Sequence, residues 1–92
     1  VGGAVADAIG KRLQFLGKNN QVLVVTHHPQ VAVRSANHLK VIKGILKNFT
    51  KINISNLEYD DKLEEIARML SGEKITNAAR KAAESLLKEV KR

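Results

Sequence analysis

A run of four consecutive apolar residues, 22–25, constrains the fold of this chain more than any other feature. It lies within the segment 21–26 and places apolar side chains on both alternating faces. Such a segment is typical of a β-strand buried on two sides, usually in a parallel sheet with helices on both faces. The run is far shorter than the ~20 apolar residues of a membrane span. The sequence therefore predicts a central strand in an α/β domain.

Periodicity assigns the elements on either side of this strand. Apolar residues at helical spacing predict a helix over residues 4–16, and Pro29 is suited to the first position of a short second helix. Alternating apolar runs on either side of Gly44 predict an antiparallel hairpin within residues 39–54 that turns near that glycine.

Two helices are predicted within residues 60–92. Asp60 or Asp61 is expected to cap the first helix, Gly72 to end it and Thr76 to cap the second. The ion pairs expected at i,i+4 spacing are Glu64–Arg68 and Glu84–Lys88.

The predicted order of elements, α-β-α-β-β-α-α, leaves the sheet incomplete. A strand buried on both sides needs a neighbour on each edge, and the chain offers only a polar hairpin as partner. The sequence also opens on Val1 rather than methionine. We therefore expect residues 1–92 to be a single piece of a larger α/β domain.

Charge is distributed unevenly along the chain. The formal net charge is +7, of which residues 1–50 carry +6 and residues 51–92 carry +1. The first half could therefore face an anionic partner such as DNA, although lysines also serve simply as solvated surface. The basic residues that could form a phosphate-binding surface are those of the first half together with Lys51: Lys11, Arg12, Lys18, Arg34, Lys40, Lys43, Lys47 and Lys51. The absence of cysteine excludes disulfides and thiolate metal sites and fits a reducing cytosol.

The segment 26–30, Thr-His-His-Pro-Gln, is the most informative candidate site. Ligands of open α/β sheets gather at the carboxyl ends of the strands, so His27 could donate a hydrogen bond to a phosphate there. The alternative is that both histidines are loop residues without a partner. Adjacent side chains on an extended strand end diverge, so we expect His28 to point away from His27.

Other candidate constellations are weaker. His27, His28 and His38 lack the ligand spacing of zinc sites, so no metal site is predicted. Gly2 and Gly3 precede a helix and could cradle phosphate through backbone N–H groups, or could simply form a tight turn. The sequence contains no P-loop motif. The acidic pairs at 60–61 and 64–65 are interpreted as caps and dipole partners rather than as catalytic pairs.

Three stretches together resemble RecN, a bacterial DNA-repair family among the SMC-like ABC ATPases. They are Val-Gly-Gly-Ala-Val-Ala at 1–6, the segment 21–32 that contains Thr-His-His-Pro-Gln-Val-Ala, and Leu-Glu-Glu-Ile-Ala-Arg-Met-Leu-Ser-Gly at 63–72. The resemblance covers nearly the whole chain, and Thr-His-x-Pro-Gln-Val-Ala is its most specific part. It implies the C-terminal part of an ABC-type (P-loop NTPase) ATPase head.

The resemblance also implies roles for individual residues. His27 occupies the switch-histidine position of an H-loop at 26–30, which senses the γ-phosphate of ATP and would be the catalytic residue. Gly2 and Gly3 look like the tail of a D-loop at 1–3, and with His27 they would be the cofactor-binding residues. The Walker motifs, Q-loop and signature motif are not in this sequence, so ATPase activity with ATP and Mg²⁺ is expected of the parent protein and not of the isolated chain.

The implied partners are the upstream part of the same head, a second head in a homodimer, and DNA, with no membrane. The implied setting is the bacterial cytosol and nucleoid, in recombinational repair of double-strand breaks. From the residues alone, a small basic nucleic-acid-binding module or an oligomerisation module that acts without nucleotide stays open as an alternative.

Overall fold

The computed structural model describes residues 2–91 and has a mixed α/β fold. Its elements are α1 (Gly3–Leu16), α2 (Pro29–Ala32), β1 (Leu39–Leu46), β2 (Phe49–Asn56), α3 (Tyr59–Ser71) and α4 (Asn77–Val90). Within this range the sheet consists of β1 and β2, which pair antiparallel. The predicted D-loop tail includes Val1, and the predicted last helical segment includes Arg92. Both residues lie outside the described residues.

The predicted central strand at 21–26 is wrong for this structure. Residues 21–28 form no regular element, so the observed order is α-α-β-β-α-α. Leu23 and Val25 are 83% and 98% exposed, whereas Val22 and Val24 are only about 40% exposed. This alternation keeps the two-residue period of a strand. The hairpin strands pair only with each other, and residues 21–26 join neither outer edge of this ribbon.

The hairpin turns at Lys47 and Asn48, and the predicted turn near Gly44 is wrong. Leu46 pairs with Phe49, and the two residues between them have φ values of 45° and 72°. Positive φ at both central residues is the signature of the two-residue turn whose twist matches the flanking strands. Gly44 lies inside β1, opposite Lys51.

The main core lies between α3, α4 and the end of α2. Its buried members are Ala32, Val33, Ile66, Ala67, Ala79, Ala83 and Leu87. In this core Ile66 and Ala67 of α3 cluster with Ala79 and Ala83 of α4. No helix of residues 2–91 is long and apolar enough to cross a membrane.

The ends of the last two helices are mostly as predicted. The Thr76 side chain accepts a hydrogen bond from the backbone N–H of Ala79 at 3.0 Å, which confirms the predicted cap. Gly72 follows α3 with a φ of 83°, a conformation that glycine adopts without strain. Asp60 and Asp61 do not cap α3: both lie in its first turn, where their charge favours the helix dipole.

Candidate functional site: the His27 loop and the start of α1

The backbone on either side of His27 is held by local hydrogen bonds. The Thr26 hydroxyl oxygen accepts from the backbone N–H of His28 at 3.0 Å. His28 is the N-cap residue of α2, and its carbonyl accepts from the N–H of Ala32 at 3.0 Å. Pro29 follows as the first helical residue, where its missing N–H costs nothing. The loop is therefore a defined turn from the polar end of the extended segment into α2.

The side chains of His27 and His28 lie side by side. Their ring centroids are 4.3 Å apart and the rings are tilted by 32°, so the expectation that they diverge is wrong. The alternation of a strand does not apply here, because the chain turns into α2 instead of continuing as a strand. His27 is exposed and His28 is partly buried. The outer ring, His27, is thus the one that a ligand in solvent can reach.

Helix α1 packs directly against α2 through Gly10. A Cβ atom at Gly10 would lie 2.8 Å from the carbonyl oxygen of Gln30 and 3.3 Å from the Cα atom of Val31. Only a residue without a side chain allows two backbones to approach this closely. The start of α1 also approaches this segment, since a Cβ atom at Gly3 would lie 3.5 Å from Nε2 of Gln30. Gly3 and Gly10 of α1 therefore both lie close to Gln30, the last residue of the segment 26–30.

Polar contacts further along α1 lock the two helices together. The Arg34 guanidinium donates to Oε1 of Gln14 at 3.0 Å and lies 3.5 Å from Oδ1 of Asp7. Lys11 lies 3.4 Å from the other carboxylate oxygen of Asp7. Sequence reasoning missed this cluster. One signal was present: Asp7 is the only acidic residue before position 58.

The start of α1 offers backbone donors rather than side chains. Gly2 is the N-cap residue, its carbonyl accepts from the N–H of Ala6 at 3.0 Å, and no side chain caps the helix. Free backbone N–H groups and the positive end of the helix dipole suit an anion at such a helix start. The sequence contains no phosphate-binding loop.

A second charged cluster, which sequence reasoning also missed, joins the base of the hairpin to α3. The carboxylate of Glu65 is buried and lies 2.8 Å from Nζ of Lys40, and it also pairs with the Arg68 side chain. Burial acts to raise the pKa of Glu65, but the hydrogen bonds from Lys40 and Arg68 outweigh it and hold this pKa below its ordinary value. The pKa of the neighbouring His38 is lowered by burial and by the charge of Lys62.

Of the two predicted i,i+4 ion pairs, one is confirmed and the other is wrong. Glu84–Lys88 is confirmed at 3.0 Å. Glu64–Arg68 is wrong, because Glu64 pairs instead with Arg80 on α4 at 2.9 Å. No three histidine or acidic side chains of residues 2–91 come together in a way that could hold a metal ion.

Comparison with known proteins adds an independent observation. No protein-family model matches the chain. Curated proteins that match it include several DNA repair proteins. They are named RecN: the chain is 46% identical over 87 residues to DNA repair protein RecN of Rickettsia felis, which covers 95% of the chain and 16% of that protein.

Two further relatives carry the same name. The chain is 44% identical over 90 residues to RecN of Xylella fastidiosa, covering 98% of the chain and 16% of the relative. It is 45% identical over 87 residues to RecN of Deinococcus radiodurans, covering 95% of the chain and 15% of the relative. The chain thus spans about one sixth of the length of these relatives. Over these residues the chain is similar to RecN proteins, and the predicted resemblance is confirmed.

Proposed function

We propose that this chain acts in DNA repair as part of the ATPase head of a RecN-type, SMC-like ABC ATPase. In this proposal His27 is the switch histidine, and Gly2 and Gly3 are the tail of the D-loop. One observation carries it: Gly3, at the start of α1, approaches the side chain of Gln30 in the segment that contains His27, although the two residues are distant in sequence. The names of the relatives support the role in repair.

Each element of this site has a definite task in the proposal. Mg-ATP, when bound by the complete head, supplies the phosphoryl group that passes to water. The ring of His27 donates a hydrogen bond to the terminal phosphate, where negative charge develops. The Thr26 turn and the α2 cap fix the backbone that aims this ring. The backbone N–H groups at the start of α1 add a positive dipole end beside it.

The rest of the head is the first partner in this proposal. Residues 22–25 keep a strand-like alternation but expose apolar side chains on both faces. An added strand from the upstream part of the head would pair with this backbone, and helices on either side would cover the side chains. The second partners are another head in a homodimer and DNA, in the bacterial cytosol. The nucleotide site would be completed by residues outside these 92.

Steady-state ATPase rates of the full-length protein test the assignment. His27→Ala removes one positioned donor, so we expect kcat to fall roughly 10- to 1,000-fold with a smaller effect on nucleotide affinity. The matched control is His28→Ala. That change keeps the His28 carbonyl that accepts from Ala32 and the His28 N–H that donates to the Thr26 hydroxyl. We therefore expect kcat to stay within a few-fold of wild type. If His28→Ala is the crippling change, or if neither variant loses activity, the switch assignment is wrong.

A further inference from the structure

We propose that the tip of the β1–β2 hairpin binds the phosphate backbone of double-stranded DNA. By the hairpin tip we mean Lys43, Lys47 and Lys51 together with the turn between the strands. The inference rests on the proposed function in so far as that function supplies DNA as the partner. It adds the surface that meets the DNA and the part of the DNA that is met.

Charge is the first observation that supports this surface. No acidic residue occurs between Asp7 and Glu58, a stretch of 50 residues that contains eight lysines and arginines. The hairpin, Leu39–Asn56 over both strands and the turn, contains four of these lysines. A surface of this kind attracts a polyanion, and nothing within the hairpin neutralises it.

The ion pairs divide these lysines into two kinds. Lys40, at the base of the hairpin, is held by the buried carboxylate of Glu65. Lys43, Lys47 and Lys51 are exposed, and none of them forms an ion pair with another described residue. The base of the hairpin is thus fixed to α3 by charge, while the tip keeps its positive charges for an external partner.

Strand register places these charges around the tip. Lys43 pairs with Ile52 and Lys51 with Gly44, so the two lysines lie on adjacent rungs and on opposite faces of the ribbon. Lys47 lies in the turn that joins the strands. Positive side chains therefore surround the end of a two-stranded ribbon, an element narrow enough to enter the major groove between two phosphate backbones.

The contacts are expected to be independent of base sequence. Lysine is a flexible point charge, which suits phosphate oxygens better than the paired donor–acceptor edges of bases. Each phosphate contact releases condensed counterions, so binding through the tip should weaken steeply as salt increases.

Fluorescence anisotropy of the full-length protein with a labelled 30-base-pair duplex, without nucleotide, tests this proposal. In Lys47→Gln/Lys51→Gln, we expect affinity to fall about tenfold near 0.1 M salt and the salt slope to decrease by about 2. The matched control Lys74→Gln/Lys81→Gln removes the same charge from two exposed positions, one between α3 and α4 and one on α4, and should leave the slope nearly unchanged. The charge-conserving variant Lys47→Arg/Lys51→Arg should bind the duplex about as tightly as wild type.

The outcomes separate this inference from the proposed function. Equal losses in the hairpin and control variants would mean a general charge effect and would overturn the inference, as would no loss in either or no binding by wild type. The ATPase rate without DNA should be unchanged in Lys47→Gln/Lys51→Gln. A failure of the switch assignment would instead appear in the His27 variant, whatever the hairpin variants do.

Discussion

The C-terminal helix pair buries its apolar residues, whereas the segment that leads to His27 exposes them. Between α3 and α4, Ile66 and Ala83 are completely buried. In residues 22–25, which are at least as apolar, Val25 is almost completely exposed. The hairpin resembles the second case, since Ile45 and Ile52 also face solvent.

The difference follows from what a helix and a strand each need from neighbouring elements. A helix satisfies its own backbone and needs only one apolar neighbour, which α3 and α4 provide for each other. A strand needs another strand for its backbone and cover for its side chains, and residues 2–91 provide neither for 22–25. In the function proposed above, residues 22–25 are the segment that the upstream part of the head would complete.

The largest expected effect compares these two regions directly. Ile66→Ala deletes a fully buried side chain in the α3–α4 core and should lower the free energy of unfolding of the isolated chain by about 2–5 kcal/mol. Val25→Ala, at an exposed position, should change it by less than about 0.5 kcal/mol. Urea denaturation followed by circular dichroism measures both. Similar losses in the two variants would mean that residues 22–25 are packed in the isolated chain.

A second prediction concerns the contact that joins the two parts of the candidate site. Gly10→Ala places a methyl group against the backbone of Gln30, and we expect a loss of about 1–3 kcal/mol as α1 shifts away from α2. Gly17→Ala is the control: its φ is −67° and the nearest atoms to the new Cβ are 3.5 Å away. This variant should be neutral or slightly stabilised. Equal stability of the two variants would refute close α1–α2 packing.

A third prediction follows from the charged cluster at the base of the hairpin. The pKa values of His38 and Glu65 are both lowered in the folded state, so the unfolded chain binds more protons as pH falls. The stability that depends on neutral His38 should be complete above its ordinary pKa of 6.5 and be lost as pH falls through the lower folded value. The Glu65 contribution should be lost in the same way below 4.5.

Thermal unfolding between pH 8 and pH 4 measures this dependence. His38→Gln should reduce the decrease in Tm that begins near pH 6.5, while leaving the decrease at lower pH in place. A Tm in wild type that rises as pH falls from 7 to 5 would contradict the lowered pKa of His38.

Local sequence signals were sufficient for the C-terminal half of the fold. Helical spacing identifies α3 and α4. Thr76 marks the start of α4 because its side-chain oxygen can accept a hydrogen bond from the first turn. Gly72 marks the end of α3 because glycine adopts the positive φ that follows the helix. These features depend on residues close together in sequence. They persist whatever the rest of the protein does.

Features that depend on distant residues could not be predicted in the same way. A strand at 21–26 would require a partner strand, which residues 2–91 do not provide, and the pairing of Glu64 with Arg80 depends on how α3 and α4 cross. The Lys47–Asn48 turn was missed because Gly44 is the stronger local turn signal. In the candidate site, the motif pointed to His27, whereas the approach of Gly3 and Gly10 to Gln30 follows from helix packing that no local pattern encodes.

Hydrogen–deuterium exchange at the amides of residues 22–25 tests the central claim most directly, namely that this segment is a strand completed from outside the chain and thereby positions His27. It should be measured in the isolated chain at low concentration and in the full-length protein. We predict fast exchange in the isolated chain and exchange slowed by at least about 100-fold in the full-length protein, where ladder hydrogen bonds protect the amides. Equally fast exchange in both, or strong protection in the monomeric isolated chain, would contradict the account.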